Sequence, residues 1–285
     1  LYGNEEQKRE YLPPIALGEI EFALGYTEPQ AGSDLAALEI RAVEKDDYYL
    51  LNGQKVFNTA CHYAEYHWLG ARTEVTTPMH RGISLFIVDL KTPGITVTPM
   101  WCIDGTKTNE VFYDDVRVPK SNLVGQKNRG FYHIATALDF ERMFPTGHLR
   151  RALEDLVNYA KKTTYGGRPL AEDPLIRQRI AERAVELDVA WLLAYRVADM
   201  LTKGVVPNYQ SSMLKLYVSE LSQRIADTGL HTLKLYKQLG KGSVWSPLEG
   251  DMPQLYFLGL RRTIVGGTSE IQRNIIATRG LGLPR

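Results

Sequence analysis

An α+β protein, β-rich in its first part and helical in its second, is the fold class this sequence predicts. Three observations carry the expectation. Between residues 17 and 126, apolar side chains come in short β-branched and aromatic runs broken by Gly, Pro and Asn. After Arg129-Gly130 their spacing lengthens to that of amphipathic helices. A composition of 44% hydrophobic and 24% charged residues over 285 positions is enough for one large core or two domains, and it argues against disorder and against a membrane span.

Residues 5–11 are polar and helix-favouring, and Pro13-Pro14 is expected to stop them. Tyr48-Tyr49-Leu50-Leu51 and Lys55-Val56-Phe57 flank Asn52-Gly53, a pair that predicts a two-residue hairpin. Ile83-Ser84-Leu85-Phe86-Ile87-Val88, Ile95-Thr96-Val97 and Val111-Phe112-Tyr113 add strands, separated by Pro93-Gly94 and the turn around Asp104-Gly105. Many short strands with no long helix among them predict an antiparallel, barrel-like sheet. Helical spacing then covers 131–162, where Pro145 should kink or break the helix, and continues through 176–203, 211–237, 253–265 and 268–278. Long amphipathic helices with short Gly/Pro connections predict an antiparallel bundle. The expected division is 1–16, 17–126 and 127–285.

Charge and cysteine usage narrow the function classes. Lys and Arg number 34 against 33 Asp and Glu, a formal net charge of +1, so the basic excess of a nucleic-acid-binding protein is missing. Cys61 and Cys102 have no Cys-x-x-Cys spacing, and the six histidines no metal-ligand spacing, so neither a disulfide framework nor a metal site is expected. A reducing compartment follows, the cytoplasm or, in a eukaryote, the mitochondrial matrix.

Three stretches could carry chemistry. In Val265-Gly266-Gly267-Thr268-Ser269-Glu270-Ile271 the paired glycines permit a tight turn, a hydroxyl is available as N-cap, and Glu270 suits the positive end of a helix. That is a loop feeding a helix, which either binds a ligand closely or is an ordinary helix start. Tyr26-Thr27-Glu28-Pro29-Gln30-Ala31-Gly32-Ser33 follows a strand and offers the Thr27 and Ser33 hydroxyls, or is simply a tight turn. In Phe57-Asn58-Thr59 strand alternation would place an aromatic ring and a hydroxyl on one face, or pack both on the core.

Together these pieces resemble the acyl-CoA dehydrogenases. Tyr26-Thr27-Glu28-Pro29 through Gly32-Ser33-Asp34, then Gly53-Gln54-Lys55, Asn109-Glu110-Val111-Phe112 with Asp115-Val116-Arg117-Val118-Pro119, and finally Gly267-Thr268-Ser269-Glu270-Ile271-Gln272-Arg273 occur in the family's order across nearly the whole chain. The resemblance implies an N-terminal helical domain, a middle β-domain and a C-terminal bundle, with residues 1–16 as a remnant of the first; its other helices would lie outside this sequence or on another polypeptide. It also implies FAD, an acyl-CoA substrate converted to the trans-2-enoyl-CoA, an electron-transfer flavoprotein or similar acceptor, and a homodimer or homotetramer, with a hetero-oligomer as alternative.

By the same resemblance, Thr27 and Thr59 meet the flavin ring, Phe57 takes a place often held by tryptophan, Ser33 meets the pyrophosphate, and Thr268 and Glu270 join the cofactor set. Lys162 stands where relatives carry an arginine that reaches a neighbouring subunit's FAD, and Gln238 and Gly240 fall near its adenosine portion. The catalytic glutamate that many relatives place before Gly-Thr is here Gly266, which keeps only its N–H as a donor to the thioester oxygen. A branch of the family carries its glutamate on the first long helix of the bundle, and in Leu138-Asp139-Phe140-Glu141-Arg142 that position is Glu141. The implied catalytic pair is therefore Glu141 and Gly266. The rival readings are a silent subunit that binds FAD or CoA, and an acyl-CoA oxidase.

Overall fold

The computed structural model describes residues 1–142 and 146–284, and divides into two compact units, Leu1–Ala137 and Leu138–Arg285. The break expected at Pro145 lies outside the described residues.

The first unit opens with α1 (Glu5–Leu17), capped by reciprocal bonds between Asn4 and Gln7. Pro13-Pro14 does not stop this helix. Both prolines lie in its second half, where each takes one N–H donor out of the i→i−4 ladder, and the helix still runs on to its C-cap at Gly18. Tyr11 fastens α1 edge-on against Phe22 and Tyr66.

Seven strands follow: β1 (Phe22–Gly25), β2 (Arg41–Glu44), β3 (Tyr48–Lys55), β4 (Tyr66–Arg72), β5 (Ile83–Asp89), β6 (Ile95–Trp101) and β7 (Lys107–Pro119). They form one curled sheet in the order β1-β4-β2-β3-β7-β6, with β5 on the other edge of β4. Its ladders are mostly antiparallel, as expected, but β1 runs parallel to β4, and β2 touches β4 through a parallel bridge at Arg41 and Arg72. Ile83 to Val88 are buried at every position, which explains why β5 reads as an unbroken apolar run.

The hairpin expected at Asn52-Gly53 is absent: both residues lie inside β3. The Asn52 side chain is bound to Asp115 across the sheet, donating to its carboxylate and accepting its N–H, both at 2.9 Å. Here β7 carries an extra residue and Asp115 has φ +49°. Gly53 is required for a different reason, a φ of +144° and an Ile40 Cα that a Cβ would approach to 3.0 Å. A backbone contact and a bulge thus produced the residue pair that a turn would also select.

The chain passes into the second unit within α2 (Gly130–Glu141), and continues as α3 (Gly147–Lys162), α4 (Pro174–Thr202), α5 (Tyr209–Thr232), α6 (Asp251–Arg262) and α7 (Ser269–Ile275), which runs on as a π turn, Ile276–Gly280. A short hairpin, β8 (Thr164–Tyr165) with β9 (Arg168–Pro169), joins α3 to α4. Helix α5 is central and packs against α3, α4, α6 and α7. Leu214, Val218, Leu221 and Ile225 enter a core with Leu149, Leu187 and Leu255. A helix surrounded in this way needs small side chains where its neighbours approach, and Ser211, Ser212, Ser219 and Ser222 supply them.

Candidate active site

In the first unit the Tyr26–Ser33 segment leaves β1 as expected, and it is held from beneath by a buried ion pair. The Lys55 ammonium donates to the Tyr26 carbonyl at 3.0 Å and to the Glu28 carboxylate at 2.8 Å, with both side chains almost wholly buried. Glu28 also accepts the N–H groups of Glu39 and Ile40. Burial pushes the Lys55 pKa down to about 8, against the pull of Glu28. The same segment runs beside residues 55–58: the Val56 N–H donates to the Thr27 carbonyl, and the Asn58 amide donates to the Leu24 carbonyl.

Thr27, Phe57 and Thr59 are therefore carried by adjoining backbone, though not by strand alternation. Residues 56–59 lie outside β3, and Phe57 adopts φ +60°, which turns its ring outward to 65% exposure. Thr27 is half-buried, while Ser33 and Thr59 are exposed. An exposed aromatic face beside hydroxyl donors on a fixed backbone is chemically suited to a flat, polar-edged ring such as a flavin.

In the second unit Glu141 closes α2, open to solvent, with Asp139 and Arg142 buried beside it. Surrounding protein nevertheless raises the Glu141 carboxyl above the ordinary glutamate value, against the opposing charge of Arg142. Arg142 donates to Asp139 at 2.7 Å, and its Nε makes a long 3.5 Å contact with the Gly266 carbonyl. Asn208 donates to the other Asp139 oxygen. The last turn of α2 and the glycine loop are thus brought together within this unit.

Gly266 and Gly267 have φ +68° and +91°. Their carbonyls face buried donors: Gln272 Nε2 reaches both, at 3.1 and 2.9 Å, and Lys215 Nζ reaches Gly267 at 2.6 Å. A Cβ on Gly266 would meet nothing within 4 Å, and among the described residues no acceptor takes its N–H. Burial, with repulsion from Arg142, lowers Lys215 to about 8 while Glu220 and Glu270 pull the other way. The Thr268 hydroxyl accepts the Ile271 N–H as N-cap. Exposed Glu270 is held below the usual carboxylate range by its own N–H, by Thr268, and by the charges of Arg273 and Lys215.

Lys162, Gln238 and Gly240 lie elsewhere, all exposed. Lys162 ends α3, and the Lys234 ammonium over the Tyr165 ring links the hairpin after it to the segment leading to Gln238. Among the described residues, no hydrogen bond or ion pair joins these three to the Gly266 loop, and no group of His, Cys, Asp and Glu could hold a metal ion.

Lys55, under the Tyr26–Ser33 segment of the first unit, and Lys215 and Gln272, under the Gly266-Gly267 turn of the second, were not legible as functional. A signal existed for two of them: Lys55 keeps the buried parity of Tyr49 and Leu51, and Lys215 stands on a helical stripe with Ser211, Ser219 and Ser222.

Family models for the acyl-CoA dehydrogenase middle domain and the acyl-CoA dehydrogenase C-terminal domain match residues 23–116 and 128–281. The chain belongs to the acyl-CoA dehydrogenase family. It is accordingly a flavoprotein oxidoreductase of lipid catabolism with FAD as cofactor and acyl-CoA dehydrogenation as its reaction. Acyl-CoA dehydrogenase FadE29 of Mycobacterium tuberculosis is 37% identical over 100% of this chain and 73% of that protein. The Tcur3481-Tcur3483 steroid ACAD superposes with a TM-score of 0.94 at 34% identity, over 100% of this chain and 73% of that one. The ChsE4-ChsE5 complex of Mycobacterium tuberculosis gives 0.92 at 34% identity, over 100% and 74%. Among the described residues no helix is long and apolar enough to cross a membrane.

Proposed function

We propose that Glu141 is the base that removes the α-proton of an acyl-CoA thioester, and that the Gly266 amide donates to the thioester oxygen. The observation that carries this reading is the placement of a carboxylate of raised pKa one residue from an arginine that touches the Gly266 carbonyl. The open side of Glu141 admits a substrate. The crowded side raises its carboxyl above the ordinary glutamate value, so it holds a proton more readily than an exposed glutamate. A thioester whose α-proton leaves develops negative charge on oxygen, and a fixed N–H with no competing acceptor stabilises that charge.

FAD supplies the acceptor for the β-hydrogen as hydride. In the first unit Thr27, Thr59 and Phe57 would hold the flavin ring and Ser33 the pyrophosphate; in the second, Thr268 and Glu270 are the residues that would serve the cofactor. Lys162, Gln238 and Gly240 serve the cofactor of a neighbouring subunit. An electron-transfer flavoprotein or similar acceptor would take the electrons. The likeness to a steroid ACAD supports a bulky, ring-bearing acyl group, and the likeness to the ChsE4-ChsE5 complex supports assembly with a second, different chain.

The test is anaerobic mixing of the holoenzyme with acyl-CoAs of straight, branched and ring-bearing chains, following loss of the oxidised flavin absorbance, with Glu141→Gln in parallel. Bleaching by one acyl class, slowed by about 10²-fold or more in the variant, is expected. Bleaching unchanged in Glu141→Gln overturns the base assignment. Bound flavin that no acyl-CoA bleaches favours the silent subunit, and rapid reoxidation in air identifies an oxidase.

A further inference from the structure

Lys215 is a charged side chain that no step above uses, yet it is fully buried in the middle of α5. An ammonium placed there must gain more from its partners than it loses in hydration. Its partners are two backbone carbonyls, Gly267 at 2.6 Å and Thr263 at 3.4 Å, which bracket Gly266 in sequence. Thr263 follows α6 and Gly267 precedes α7, so one ammonium ties together the two ends of the turn that presents the Gly266 N–H.

We propose that Lys215 is a positioning residue for the thioester-oxygen donor: its ammonium clamps the Gly266-Gly267 turn in the conformation that leaves the Gly266 amide free to donate. The inference rests on the reading of Gly266 given above. Two glycines at positive φ have many other conformations open to them, and a donor that wanders stabilises developing charge poorly. Gln272 bonds both glycine carbonyls, but its amide is neutral and sits on α7, the short helix that the turn itself feeds. Lys215 reaches the turn from α5, the helix packed most widely within the unit, and so fixes the loop to the rigid part of the bundle. The 2.6 Å distance is that of a charge-assisted bond.

The test separates proton abstraction from hydride transfer. In D2O the holoenzyme is given 3,3-dimethylbutanoyl-CoA, whose β-carbon has no hydrogen to lose, so that deuterium appearing at its α-carbon reports proton removal and return alone. Lys215→Met keeps the chain length and removes the donor. The expected result is exchange slowed by about tenfold or more at saturating thioester, with thioester affinity within about twofold, and part of the rate recovered in Lys215→Arg. Should Lys215→Met fail to fold, Lys215→Gln is read on the same two axes. Unchanged exchange, or a loss confined to affinity and melting temperature, overturns the proposal. Glu141→Gln run alongside distinguishes the two readings. Exchange surviving there removes the base, whereas exchange lost there and intact in the Lys215 variants removes the clamp and leaves the base in place.

Discussion

A carboxylate that takes an α-proton from a thioester is useful only over the pH range in which it is itself unprotonated, and its neighbours set that range. Glu141 is raised by the protein around it and lowered by Arg142. The raised value means that the base is protonated at acid pH and becomes competent as pH rises, so the acid limb of kcat/KM lies above the ordinary glutamate range. Among the described residues the Arg142 guanidinium is what opposes that rise, and Arg142→Gln moves the limb to still higher pH. Because the substitution also strips Asp139 of its closest partner, at 2.7 Å, it is best made together with Asp139→Asn, which leaves no buried unpaired carboxylate. A limb that stays in place, measured by flavin bleaching across pH, would separate the limb from Glu141. Arg142 bonds Asp139 and touches the Gly266 carbonyl, so it joins the end of α2 to the glycine loop.

At the scale of elements, one buried lysine in each unit does related work on different secondary structure. Lys55 on β3 grips the segment leaving β1, and Lys215 on α5 grips the turn between α6 and α7. Lys55→Met leaves Glu28 as a buried carboxylate without its counter-ion, and should destabilise the protein by about 3 kcal/mol in thermal or denaturant unfolding. Adding Glu28→Gln should return part of that loss, and a Lys55→Met protein as stable as the wild type would show that the Gln30 amide and the backbone N–H groups of Glu39 and Ile40 satisfy Glu28 without the ammonium. Such lysines explain what was legible. The strand and helix periods, the motif order and an N-cap hydroxyl at Thr268 or Ser269 can be read along the chain, since each depends on neighbours a few residues away; the structure selects Thr268. The bulge opposite Asn52-Gly53, the continuation of α1 through Pro13-Pro14 and the two lysine clamps depend on contacts from distant segments. A lysine in a one-dimensional reading is a surface residue unless its phase on a strand or helix is followed to the buried side.

For the whole molecule, the placement of Lys162, Gln238 and Gly240 is the feature that reaches beyond one chain. They are exposed, and among the described residues no hydrogen bond or ion pair ties them to the Gly266 loop, so within this unit they form a second region. If that region holds the cofactor of a neighbouring subunit, FAD binding and assembly are coupled. Lys162→Ala should then lower FAD affinity by about tenfold, the value of one charge-assisted contact to phosphate, while flavin bleaching by acyl-CoA in fully loaded enzyme stays unchanged. Lys162→Arg should retain FAD at least as well as the native residue, because a guanidinium can bond two phosphate oxygens at once where an ammonium acts as a point charge. The measurement is flavin retained per chain after gel filtration at falling protein concentration, with the assembly state read from light scattering. Coupling predicts that flavin is lost as the assembly dissociates, and sooner in Lys162→Ala. Flavin retained equally by a dissociated Lys162→Ala chain would place the whole cofactor site within one subunit and leave the Lys162 region without a part in it.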